Sequence, residues 1–279
     1  MNKLRNIVCI SAGLIALMAA SEATAAWVER AYAVPSRPGV EQIFVVAMEN
    51  SITDSNAVKS MVVMFSGGAG AIAPAAAGIS EQKPGNLKSL RGFLAEKLGM
   101  AVSIGLPTDQ KDGLSLAWRE TEEHVQDVSA VVDVLTKQYP EARITLLGHS
   151  NGTWSASHIG AAMAPKWGTK LQGVVLLSAS VEAFAGDWMR VLDGTKERAK
   201  VPVLVVHHKR DSCLPYNEIE AKAKWYDFIT VDDAKQPRVH SFNRDCGRGS
   251  AHQFSGREDW VYQAVVDWIK TGKVAEMSN

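Results

Sequence analysis

Short runs of Val, Ile, Leu, Met and Ala, with little polar alternation, stand near residues 60–66, 100–105, 143–148, 171–178 and 201–208, with a mixed run near 237–243. Unbroken β-branched runs such as Val201–His208 are the pattern of strands buried on both faces of a parallel sheet. Between the runs, apolar residues recur at helical spacing near 87–98, 115–138, 151–164, 217–228 and 257–270. In the second of these, Val125, Val128, Val132 and Leu135 form a core stripe, leaving Glu120, Glu122, Asp127 and Asp133 for other faces. Pro35-Ser-Arg-Pro-Gly39 separates a strand near 27–34 from one near 42–48, an antiparallel hairpin entering the sheet. Strand–helix alternation predicts an α/β fold with a mostly parallel central sheet of about eight strands flanked by helices. Only Ser180–Lys200 and Leu214–Gln236 could form a lid; both are short, so the lid is expected to be minimal.

The N-terminus breaks this rhythm. Lys3 and Arg5 precede the apolar stretch Ile7–Ala20, and Ala23-Thr-Ala25 follows. The stretch is too short to span a bilayer comfortably, which takes about twenty residues. Residues 1–25 read as a Sec-type signal peptide, with an uncleaved anchor as the competing reading, and residues 26–279 as one domain. The expected location is the periplasm or the bacterial exterior, with no membrane anchor after cleavage. Cys9 lacks a lipoprotein context. Loss of Lys3, Arg5 and Glu22 takes the chain from 30 basic and 30 acidic residues to a formal charge of −1. That balance provides no electrostatic case for nucleic acid or anionic membranes. Two cysteines then remain, Cys213 and Cys246, and in an oxidising compartment an even pair reads as a disulfide. Closing that loop is worth about 3–4 kcal/mol in the chain-entropy model.

The chemistry enters at Arg143-Ile-Thr-Leu-Leu-Gly-His-Ser-Asn-Gly152, where an apolar strand runs through Gly-x-Ser-x-Gly into a small-residue helix. Glycines at 148 and 152 allow a sharp turn and close packing, which exposes the Ser150 hydroxyl on a strained elbow. A serine hydroxyl needs a base, and the base needs an orienting acid. Asp211 lies at the end of the 201–208 strand, and His252 lies in the loop before the last helix. Asp187 and Asp193 are rivals for the acid. Of the other histidines, His207 and His208 read as structural or pocket-lining. His149 supports or lines the pocket, His124 and His158 belong to helices, and His240 falls in the expected last strand. Ser66-Gly-Gly-Ala-Gly70 is a second strand-delivered glycine cluster, suited to binding an oxyanion through backbone N–H groups. One donor is expected from Gly67, Gly68 or Ala69 and the other from Asn151. A phosphate loop is excluded by the missing Gly-Lys-Ser/Thr ending. No metal-ligand spacing is present, and neither a metal nor a cofactor is expected. Trp154, Phe184 and Trp188 are candidate cleft residues, and Asp109 a turn residue.

The order Ser150, Asp211, His252, together with the elbow and glycine loop, resembles the α/β-hydrolase superfamily over roughly residues 58–271. It looks most like small secreted bacterial members with a cysteine just after the acid. One departure is Ser66, where many esterases of the superfamily carry histidine. The resemblance implies a secreted serine hydrolase acting on a small ester through an acyl-enzyme. Amide or thioester cleavage and acyl transfer use the same triad, and a non-catalytic binding protein could share the scaffold.

Overall fold

The computed structural model describes residues 5–6, 27–72, 86–184, 201–232, 246–247 and 249–274. Its strands are β1 (Arg5–Asn6), β2 (Trp27–Arg37), β3 (Val40–Glu49), β4 (Ser60–Phe65), β5 (Gly99–Pro107), β6 (Arg143–His149), β7 (Leu171–Leu177), β8 (Val203–His208) and β9 (Asp227–Val231). They form one sheet in the order β1-β2-β3-β5-β4-β6-β7-β8-β9. From β5 to β9 every pair is parallel, while β2 and β3 form the expected antiparallel hairpin and join through β3 to β5. The two-residue β1 pairs antiparallel with β2.

The helices are α1 (Asn86–Leu98), α2 (Glu122–Gln138), α3 (Gly152–Trp167), α4 (Tyr216–Ala223) and α5 (Glu258–Thr271). Inward residues of α2 and α3 meet one face of the sheet around Val63, Val102, Leu146 and Val174. Those of α1 and α5 meet the other around Val62, Ala101, Leu147 and Val175. Alternate residues of each central strand thus feed opposite cores, as parallel strands covered on both sides must. From β4 the chain moves to β5 on one side and then crosses to β6 on the other, so β4 and β6 flank a topological switch point. The crevice at the carboxyl ends of such strands is where α/β sheets hold ligands.

Three elements depart from the sequence expectation. Helix α2 begins at Glu122 rather than near 115, because Thr121 caps it by accepting from the His124 N–H at 3.2 Å and residues Trp118–Glu120 form a separate 3-10 turn. Asp127 is not on an outer face: it is fully buried and accepts from both Nε and Nη2 of Arg37, at 2.8 and 3.0 Å. The edge strand is β9, in the interval read as helix end and possible lid, because the chain turns at Tyr226, whose N–H bonds Ala223 O at 2.8 Å. The run expected as a strand at 237–243, with His240, lies outside the described residues. So do Asp187, Trp188, Asp193 and all of the expected signal peptide except Arg5–Asn6. Among the described residues no helix is long and apolar enough to cross a membrane.

Arg37 also bonds the half-exposed Asp109 at 2.9 Å, fixing that turn. The two ion pairs differ in burial and therefore in what their loss leaves behind. Arg37→Met strands a buried Asp127 carboxylate and is expected to cost about 3–5 kcal/mol. Asp109→Ala removes the solvated partner and is expected to cost less than about 1 kcal/mol in urea unfolding.

Candidate active site

Strand β6 delivers the elbow. Ser150 has φ of +54°, a conformation non-glycine residues rarely adopt, and α3 starts two residues later. The strain is held by hydrogen bonds on both sides of the residue. The Ser150 N–H donates to Leu177 O at 3.0 Å, and Ser150 O accepts from the Thr153 N–H and Oγ1, at 2.9 and 2.6 Å. Glycine is obligatory on either side. A Cβ on Gly148 would collide with the Gly152 carbonyl, and one on Gly152 with the Phe65 carbonyl at the end of β4.

The acid follows β8. One oxygen of the buried Asp211 carboxylate, Oδ1, accepts from the Cys213 and Leu214 N–H groups at 2.9 and 3.0 Å. The other, Oδ2, faces His252 Nδ1 at 2.8 Å. That arrangement requires the proton on Nδ1, which leaves Nε2 as the basic nitrogen. His207 Nε2 donates to Leu214 O at 2.9 Å and lies 3.4 Å from the same Asp211 oxygen. His208 Nδ1 accepts from the Arg210 N–H at 3.0 Å. Both histidines therefore brace the acid loop.

His252 sits in the short turn Ala251–Gln253 and is 1% exposed. Its carbonyl accepts from Ser178 Oγ at 2.7 Å and faces His149 Nε2 at 3.1 Å, where a neutral His149 donates. The His149 and His252 rings lie 5.1 Å apart. His149, next to Ser150, thus grips the loop carrying His252. Among the described residues Ser150 Oγ makes no hydrogen bond to His252, a contact that often closes only with substrate bound. A disulfide joins Cys213 to Cys246, linking the acid loop to the segment leading to His252.

The glycine loop after β4 completes the cluster. Gly67 is so close to the elbow that a Cβ would lie 2.8 Å from the Ser150 Cβ, and Gly68 has φ of +55°. Among the described residues the N–H groups of Gly67, Gly68 and Asn151 donate to no protein acceptor. Ser150, Asp211, His252, Gly67, Gly68 and Asn151 are therefore gathered at one end of the sheet.

Asp211, Cys213 and His252 also come within metal-ligating distance of one another. Cys213 Sγ is committed to the disulfide, and Asp211 and His252 are bonded to each other, so this set does not fit a metal. Phe184, a candidate cleft residue, stacks on Tyr226 at 6.2 Å and is only partly buried. Ser178, whose hydroxyl holds the His252 carbonyl, was not singled out from the sequence. Its signal is a hydroxyl directly after an apolar strand, at the sheet edge where sites form.

Burial lowers the pKa of His149 to about 4 and that of His124, in α2, to about 3. Both are neutral in the fold, whereas an unfolded chain protonates them near 6.5. The folded state therefore binds fewer protons below that value, and stability falls as pH drops from about 7 toward 4. Replacing His124 with Gln should flatten this dependence by up to about 1.4 kcal/mol per pH unit, read from urea midpoints across the range.

The serine aminopeptidase S33 family model matches residues 108–211. No curated protein sequence matches the chain. Among solved structures, an alpha-beta serine hydrolase homologue from Coxiella burnetii superposes with a TM-score of 0.57 at 15% identity, covering 85% of this chain and 95% of that one. Est1E from Butyrivibrio proteoclasticus gives 0.57 at 16% identity, covering 86% and 97%. XC6422 from Xanthomonas campestris, described as an a/b serine hydrolase without lid, gives 0.58 at 12% identity, covering 90% and 97%. Sheet order, elbow and these superpositions give this chain the α/β-hydrolase fold, and the family model matches within it over residues 108–211.

Proposed function

We propose that the protein is an exported serine hydrolase that cleaves small carboxylic esters through Ser150, Asp211 and His252. The observation that carries this reading is the 2.8 Å Asp211–His252 hydrogen bond, set beside a serine strained at φ of +54°. His252 Nε2 takes the Ser150 proton as Oγ attacks the ester carbonyl. Asp211 holds the Nδ1–H tautomer and stabilises the imidazolium. Backbone N–H groups of Asn151 and of Gly67 or Gly68 receive the oxyanion. His252 then protonates the leaving alcohol, and water, deprotonated by the same nitrogen, releases the acid from Ser150. Other similar folds are esterases by name, among them a cold-adapted esterase from an Arctic intertidal metagenomic library and a fungal esterase from Rhizomucor miehei, which supports the ester reading. The leader-like start and the Cys213–Cys246 bridge support export.

The match to the serine aminopeptidase family favours one second reading, amide cleavage at an aminoacyl group by the same triad. The two readings separate in a side-by-side assay of p-nitrophenyl esters and aminoacyl p-nitroanilides. The expected outcome is ester turnover with the anilides slower by at least about a hundredfold, a factor worth about 2.7 kcal/mol of barrier. The reverse ranking would establish the peptidase reading.

Ser150→Ala is expected to abolish both turnover and fluorophosphonate labelling. Asp211→Asn should lower kcat by about 10³–10⁴, since the base would lose its tautomer. A folded wild-type protein that resists fluorophosphonate would refute the catalytic assignment. The Cys213→Ser/Cys246→Ser variant is expected to lose about 3–4 kcal/mol of stability. Its turnover should also fall at temperatures where it stays folded, because the acid and base loops are no longer tied; full turnover there would limit the bridge to a stabilising role.

A further inference from the structure

Behind the glycine loop lies a cation with no part in the chemistry above. Arg119, in the 3-10 turn ahead of α2, is only 1% exposed. A buried guanidinium is ordinarily matched by a carboxylate, yet among the described residues Arg119 has no acidic partner. Nη2 donates to the Ser66 and Gly68 carbonyls, at 3.3 and 3.0 Å, and Nη1 donates to Ser155 Oγ at 2.8 Å. Burial lowers its pKa only to about 10, so it stays charged at neutral pH. Ser155 Oγ, accepting from the arginine, also shares a hydrogen bond with His124 Nε2 at 3.0 Å. Burial first, and the arginine's charge second, keep that imidazole neutral. Among the described residues the charge is therefore met by two loop carbonyls and a hydroxyl at its two terminal nitrogens, Nε having no partner there.

The neighbouring carbonyls are committed as well. Gly67 O accepts from the Gly70 N–H at 3.0 Å, and Ala69 O from the Leu114 N–H at 2.8 Å. All four carbonyls from Ser66 to Ala69 are thus occupied. In a trans peptide the N–H points opposite its carbonyl, so fixing these carbonyls fixes the N–H groups of Gly67, Gly68 and Ala69. Each peptide dipole whose carbonyl faces the cation presents its positive end on the far side. Gly70 makes room for the guanidinium: its φ is +76°, and a Cβ there would lie 3.0 Å from Nη2.

We propose that Arg119 is a positioning residue that holds the Ser66–Ala69 backbone in oxyanion-binding geometry and polarises its N–H groups toward the developing charge. The inference rests on the serine-hydrolase reading. It predicts a defect expressed in the transition state and not in substrate binding. It assigns Ser155 as the support of the arginine.

The test compares wild type with Arg119→Met, Arg119→Lys and Ser155→Ala, each checked for folding by circular dichroism and thermal melting. On the best p-nitrophenyl ester, Arg119→Met should lose about a hundredfold in kcat with KM within about twofold, the scale of losing one oxyanion donor. The inhibition constant of a trifluoromethyl ketone, whose adduct carries the oxyanion, should rise in step. Arg119→Lys, which keeps charge but not the fork, should fall between, and Ser155→Ala should lose about three- to tenfold. Should the methionine variant not fold, the other two decide by the same criteria. An unchanged kcat, or a rise in KM alone, in the folded variants would overturn the proposal. Failure of wild type itself to turn over esters and to take fluorophosphonate at Ser150 would sink the hydrolase reading and this inference with it. An active wild type with indifferent variants sinks only the role of Arg119.

Discussion

The site depends on backbone meeting backbone between β4 and β6. The two strands run in register with Phe65 opposite Gly148, and each continues into a glycine-bearing turn. A Cβ on Gly152 would strike the Phe65 carbonyl, and one on Gly67 would press on Ser150. With no side chains between them, the glycine loop and the elbow approach closely enough for their N–H groups to serve one small volume. This is steric economy with an electrostatic result, since donors held rigidly need not reorganise when charge appears.

Around that contact the protein buries much polar chemistry at little electrostatic cost. His124, His149, His207 and His208 are all buried, and burial lowers the pKa of the first three. Imidazoles serve as braces: His149 holds the carbonyl of His252, and His207 and His208 hold the loop that carries Asp211. Among the described residues buried charged groups are few. Asp211 receives two backbone N–H groups and His252, while Asp127 receives the fork of Arg37. Among the described residues Arg119 departs from this pattern, met by carbonyl dipoles in place of a carboxylate, and it does so directly behind the glycine loop.

Much of this was legible from local pattern. Unbroken apolar runs marked β4, β6, β7 and β8, and glycine spacing marked the elbow. Ser150 and Asp211 follow β6 and β8 as that order required, and His252 meets Asp211 there. The failures were also local in origin. Asp-Phe-Ile-Thr-Val at 227–231 is too short to outweigh the helical spacing before it, and it becomes a strand because β8 offers an open edge. Asp127 looked like a solvated face residue because nothing near it in sequence announces Arg37, which lies on β2.

The sequence by itself determined the elements, the elbow and the candidate triad, because those depend on periodicity, on glycine's missing Cβ and on chain order. Tertiary structure alone decided which groups brace the site. Ser178, His149 and Arg119 act through partners 74, 103 and 51 residues away. Such pairings leave no spacing rule in the chain, since they arise only when the twisted parallel sheet brings the ends of separate strands into one crevice.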